Sequence, residues 1–103
     1  AEGMAAKEQV REQIKISIKE PRQYQVLIYN DDFTPMDFVV EVLMGLFDKD
    51  EPAAVALMMN IHKGNYAVAG TYPRDIAKTK AAEAVQWARS EGYPLKVEAV
   101  CCP

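Results

Sequence analysis

The chain is 103 residues long, the size of one domain, and half of it is apolar, so it can fill a core. Fifteen acidic against twelve basic residues leave a formal charge of -3. That argues against a general nucleic-acid binder, whose affinity comes from Lys and Arg on phosphates. No apolar run approaches the roughly 20 residues of a membrane span, so neither a nucleic acid nor a membrane is an expected partner.

Residues 1–22 show no sustained period beyond a short amphipathic turn around Ile14 to Ile18 and end in "KEPRQ". They read as a flexible N-terminal extension. Their polar, mixed-charge start does not have the form of a signal peptide. Cys101 and Cys102 are adjacent and cannot staple the fold, so a reduced, cytoplasmic setting fits. The reading is a core over 23–100 and a disordered tail over 101–103.

"YQVLIYN", Tyr24 to Asn30, is short, apolar and β-rich, and predicts a buried strand. A helix follows, with Thr34 as its N-cap, Pro35 at the first position and Asp37 near the positive end. Met36, Val39, Val40, Leu43, Met44 and Phe47 give it an apolar stripe. "DKDEP" breaks the chain. Pro52 opens a second helix with Val55, Met58, Met59 and His62 near one face. "YAVAGTY" is a second strand, in which Gly70 marks a bulge or a close approach. Pro73 leads into a long third helix, about Arg74 to Glu91, anchored by Trp87. Gly92 closes it, and "PLKVEAV" is the last strand. The order β-α-α-β-α-β predicts a small α+β sandwich: a three-stranded antiparallel sheet packed against three helices.

One constellation stands out. Asn30, Asp31 and Asp32 leave the first strand, and His62 lies near the end of the second helix. If the first two helices form a hairpin, these side chains meet above Met36, Val39 and Met58. Such a mouth offers acceptors: carboxylate oxygens, an amide oxygen and an imidazole nitrogen. Its complement is a cation with several N–H donors, followed by a large apolar group. A free α-amino terminus with a bulky first side chain has that form. Taken singly, each feature has a plainer reading: the acids as a turn, the histidine as a partner of the helix dipole, and the methionines as core.

The blocks "NDDFTPMDFVVEVL", "ALMMNIH", "KTKAAEAVQWAR" and "YPLKVE" resemble ClpS, the bacterial N-degron adaptor of the ClpA unfoldase. The resemblance runs from about Tyr24 to Val100. It implies an adaptor, not an enzyme. Such an adaptor binds proteins beginning with Leu, Phe, Tyr or Trp and delivers them to a ClpA-type AAA+ unfoldase for degradation by ClpAP. By the same resemblance, Asn30 and His62 hold the α-amino group with help from Asp31 or Asp32, and Thr34 meets the peptide backbone. Met36 gates a pocket lined by Val39, Met58, Ile61 and Leu95. Asp75 and Lys80 face the unfoldase. No catalytic residue, metal or cofactor is implied. The chain departs from the family pattern at Gly64, one place early after His62, and at Lys78, where an acid is usual. These departures suit a divergent second copy of the adaptor.

The rival reading is a small metal-binding or general protein-interaction domain built on the same Asn-Asp-Asp and His cluster. Against it, the chain has a single histidine, no phosphate-cradling glycine loop and no nucleophile beside the histidine.

Overall fold

The computed structural model describes residues 22–103, so the N-terminal extension and its amphipathic turn lie outside the described residues. Strand β1 (Gln23–Tyr29) is the centre of a sheet ordered β2-β1-β3, with β2 (Tyr66–Pro73) and β3 (Lys96–Cys101) both antiparallel to it. Helices α1 (Met36–Leu46), α2 (Glu51–Gly64) and α3 (Arg74–Ser90) complete the order β-α-α-β-α-β expected from the sequence.

Alternation along β1 turns Val26 and Ile28 toward the helices, where both are fully buried beside Ala69 and Val97. Leu27 and Tyr29 face the other way, onto a sheet face that leaves Tyr66 and Val68 exposed. The pairing of β1 with β2 shifts by one residue. Val26 opposes Gly70 and Leu27 opposes Val68, so Ala69 is the extra residue of a β-bulge. The bulge thus falls beside the glycine that predicted it.

Both first helices are rotated from the faces read off the sequence. In α1 the buried residues are Phe38, Val39, Val42 and Leu43, while Met36 and Met44 are exposed. The row Met36, Val40, Met44 is also an i, i+4 series, and it lies on the flank of the true contact stripe. In α2 the contact face is Ala54, Leu57, Met58 and Ile61, whereas Val55, Met59 and His62 point to solvent. A small alanine marks the buried row there, and hydropathy alone favoured its larger neighbours.

The helix starts also differ. Pro35, not Thr34, occupies the N-cap of α1, with no side-chain cap. The Thr34 hydroxyl donates to Asp31 instead. Helix α2 begins one residue before Pro52 and is capped by Asp50, whose Oδ1 accepts the Ala53 N–H at 3.0 Å. Between them Asp48 takes a φ of 57°, and the Lys49 N–H reaches back to the Leu43 carbonyl.

Helix α3 lies close on the sheet through Ala77, Ala81, Ala84 and Ala88, all buried. Trp87 meets Phe38 edge-on at 5.3 Å, and Tyr93 meets it from another side at 4.9 Å. Gly92, at φ 84°, ends the helix as expected: its N–H bonds to Arg89 and the Tyr93 N–H to Ala88. The last residues are not a free tail. Cys101 pairs with Tyr24 in the sheet, and the Cys102 N–H donates to the Gln23 carbonyl at 2.9 Å. Backbone pairing with β1 therefore carries the last strand past the boundary expected at Val100.

Candidate functional site

The segment Asn30–Pro35 has little hydrophobic content, so its shape must come from hydrogen bonds. Asp31 provides them. Its Oδ1 accepts the backbone N–H groups of Phe33 and Thr34 at 2.8 and 2.7 Å, and its Oδ2 accepts the Thr34 hydroxyl at 2.8 Å. One carboxylate thus folds the turn that leads into α1. The next carboxylate, Asp32, is exposed. The two acids are adjacent in sequence but differ in use.

The second half of the site arrives with α2. Asn65, in the left-handed region at φ 75°, ends that helix, and its carbonyl accepts the Asn30 N–H at 2.7 Å. His62 lies three residues earlier, in the last turn, and is exposed. The strand end carrying Asn30, Asp31 and Asp32 and the helix end carrying His62 are therefore tied together. Tyr29 and Tyr66 support the junction, with ring centroids 5.7 Å apart. The Tyr29 hydroxyl donates to Glu98 at 2.7 Å, and that hydrogen bond raises its pKa above the usual tyrosine value.

Beneath this rim, Val39, Ile61 and Leu95 belong to one buried cluster, and Met58 packs half-buried against it. Met36 stands at the first residue of α1, 43% exposed. Four of the five apolar residues named from the sequence, on α1, on α2 and just before β3, thus share the core cluster, while Met36 stands outside it. The structure also adds Phe33, 76% exposed in the middle of the turn. A large aromatic set among polar turn residues was the signal for it. Among the described residues, no three His, Cys, Asp or Glu side chains converge as metal ligands.

The two residues assigned to a partner surface behave differently. Asp75 is exposed in the first turn of α3. The Lys80 ammonium is turned inward: it donates to the Leu46 carbonyl at 2.6 Å and stands 5.8 and 5.3 Å from the ring centres of Phe47 and Tyr72. It caps the C-terminal end of α1, where carbonyls lack helical partners. Arg89, which the sequence did not single out, holds the chain into β3 through the carbonyls of Tyr93 and Leu95 at 2.8 and 3.0 Å.

Residues 19–98 match the family model described as ATP-dependent Clp protease adaptor protein ClpS. The chain belongs to the ClpS family. It is 44% identical over 88 residues to the ATP-dependent Clp protease adapter protein ClpS of Shewanella halifaxensis, covering 85% of this chain and 86% of that one. It is 48% identical over 81 residues to the ClpS of Deinococcus radiodurans, covering 79% and 72%. Among solved structures it superposes on Agrobacterium tumefaciens ClpS2 bound to L-phenylalaninamide, with a TM-score of 0.78 and 38% identity, covering 80% of this chain and 99% of that one. ClpS is an adaptor family of the Clp protease rather than an enzyme family. No helix among the described residues is long and apolar enough to cross a membrane.

Proposed function

We propose that this ClpS-family chain binds proteins whose first residue is Leu, Phe, Tyr or Trp and delivers them to a ClpA-type unfoldase in the cytoplasm. Asn30 and His62 take the α-ammonium group with Asp32 facing it, and Thr34 meets the peptide backbone. The first side chain enters among Val39, Met58, Ile61 and Leu95 beneath Met36. Asp31 acts through the shape of the turn. The hydrogen bond from Asn30 to Asn65 carries this reading, because it sets two acceptor-bearing chain ends side by side above an apolar cluster. The likeness to a ClpS2 bound to L-phenylalaninamide, an α-amine with an aromatic side chain, supports the choice of ligand. Asp75 is proposed for the unfoldase contact, with Lys80 shaping that surface from behind. Residues 1–22 are proposed to serve delivery rather than binding.

The energetics are sufficient. Burial of the first side chain contributes about 1.5–3 kcal/mol. Each hydrogen bond to the charged amine adds about 1.5–3 kcal/mol. After the cost of association, affinity near the micromolar range follows.

The test is fluorescence anisotropy with a labelled Phe-initiated peptide. Acetylating its amine should abolish binding. Asn30→Ala or His62→Ala should weaken it at least tenfold, about 1.4 kcal/mol, while the fold is kept. Equal affinity for the acetylated peptide would sink the proposal, and binding lost on adding chelator would favour a metal site instead.

A further inference from the structure

β3 ends the sheet order, so among the described residues its outer edge has no strand partner. Its free groups can be named. The Cys102 N–H bonds to Gln23, and antiparallel pairs alternate between bonded and non-bonded, so Gln25–Val100, Leu27–Glu98 and Tyr29–Lys96 are the bonded pairs. The N–H and C=O groups of Val97, Ala99 and Cys101 therefore point outward. Beside that edge runs a groove of about 500 Å³ floored by Ala81, Val85 and Val97, with Arg89 and Gln86 on its wall. An unpaired edge next to an apolar trough is the arrangement to which an extended segment adds as a further strand. The other edge, β2, is disrupted by its bulge, a common protection of edges; β3 pairs without a register shift.

We propose that the occupant is this chain's own segment Ile14–Lys19, added to β3 as a fourth strand. The proposal does not depend on the amine site. Three features choose this occupant. In "IKISIK" the residues Ile14, Ile16 and Ile18 alternate with Lys15, Ser17 and Lys19, the period of a strand with one apolar face. The described chain also begins where the edge ends: Arg22 lies beside Cys101, with Nη1 3.4 Å from Sγ, and leads into β1 next to the last residues of β3. The reach also suffices. The edge lies two strand spacings from β1, about 10 Å, and the four steps from Lys19 to Gln23 span up to about 14 Å.

The segment then runs parallel to β3, with Ile14 beside Val97 and Ile18 beside Cys101, four steps on each strand. Its isoleucines enter the groove. Pro21, which has no N–H to donate, falls in the connection, outside the ladder. A short parallel pairing is weak enough to be released by a pull on the N-terminus, so docking and delivery are compatible.

The test is amide hydrogen exchange by NMR on the full chain and on its variant Ile14→Ser/Ile16→Ser/Ile18→Ser, each at two concentrations tenfold apart. The proposal expects the Val97, Ala99 and Cys101 amides to exchange at least about tenfold more slowly in the wild-type chain than in the variant, independently of concentration. Equal rates in the two proteins overturn it, whether the amides are protected or not. Protection that fades on dilution also overturns it, by assigning the edge to a second copy.

Discussion

Replacing Asp31 by alanine separates the two acids of the Asn30–Thr34 turn. The substitution removes the acceptor of three hydrogen bonds, at 2.7 to 2.8 Å, from Phe33 N–H, Thr34 N–H and the Thr34 hydroxyl. One side-chain cap contributes about 0.5–2 kcal/mol, and this half-buried carboxylate serves more donors than a usual cap. A loss of about 2 kcal/mol is expected, which for a domain of this size lowers Tm by roughly 8–16 °C. Asp31→Asn keeps an amide oxygen for the two N–H groups and should cost about half as much. Asp32→Ala, at an exposed carboxylate, should stay within about 0.5 kcal/mol of wild type in stability. Thermal unfolding followed by circular dichroism measures all three. Peptide anisotropy at a temperature where every variant is folded then reads the site: Asp31→Ala should lose affinity together with stability, Asp32→Ala affinity alone. An Asp31→Ala protein that melts with the wild type would refute the argument that this carboxylate holds the turn.

Lys80→Met keeps the apolar stem but removes the bond to the Leu46 carbonyl and the cation over Phe47 and Tyr72; urea unfolding should show a loss of about 1–2 kcal/mol. An unchanged midpoint would return Lys80 to a purely external role. At Gly70 an added Cβ would overlap the Tyr72 ring, 2.7 Å from Cζ, so Gly70→Ala should cost about 1–3 kcal/mol in the same assay unless Tyr72 can leave its place beside Phe47. Met36→Ala should raise affinity for Ile- and Val-initiated peptides relative to a Leu-initiated one, because ligands branched at Cβ are widest where this side chain stands; an unaltered ranking in anisotropy would remove Met36 as a gate.

Much of the fold was legible because its punctuation is local. Pro73, Gly92 and the β-branched runs act on their own neighbours, and each element they delimit is present. What the sequence misplaced depends on partners far along the chain. The buried faces of α1 and α2 were misjudged because Ala54 and Val42 owe their burial to neighbouring elements, while Met44 and Met59 looked more apolar and stand exposed. Thr34 has the chemistry of a cap, and only the competing carboxylate of Asp31 shows why it does not serve as one. The sequence placed Asn30 and His62 at strand and helix ends, and those ends are joined by the Asn30–Asn65 bond and the pairing of Tyr29 with Tyr66. The inward turn of Lys80 was not legible, since its acceptor, Leu46, is 34 residues away.

The extra residue in β2 has a consequence for what that strand can tolerate. Alternation alone would set Tyr66, Val68, Gly70 and Tyr72 on one side. The bulge at Ala69 changes the phase, so Tyr66 opposes Tyr29 on the open face while Tyr72 opposes Tyr24 on the helix side, against Phe47. β2 is in effect two half-strands in opposite phase. The first is bound to the end of the molecule where Asn65 meets Asn30, the second to the end where Lys80 closes α1. The six steps from Tyr66 to Tyr72 would otherwise put both rings on one face, so the extra residue is what lets this outer strand serve both ends. Deleting Ala69 would make the ladder regular, with Val68 and Gly70 consecutive opposite Leu27 and Val26, and would leave both tyrosines on their present faces; the loss would be the buried Ala69 side chain, not the pairing.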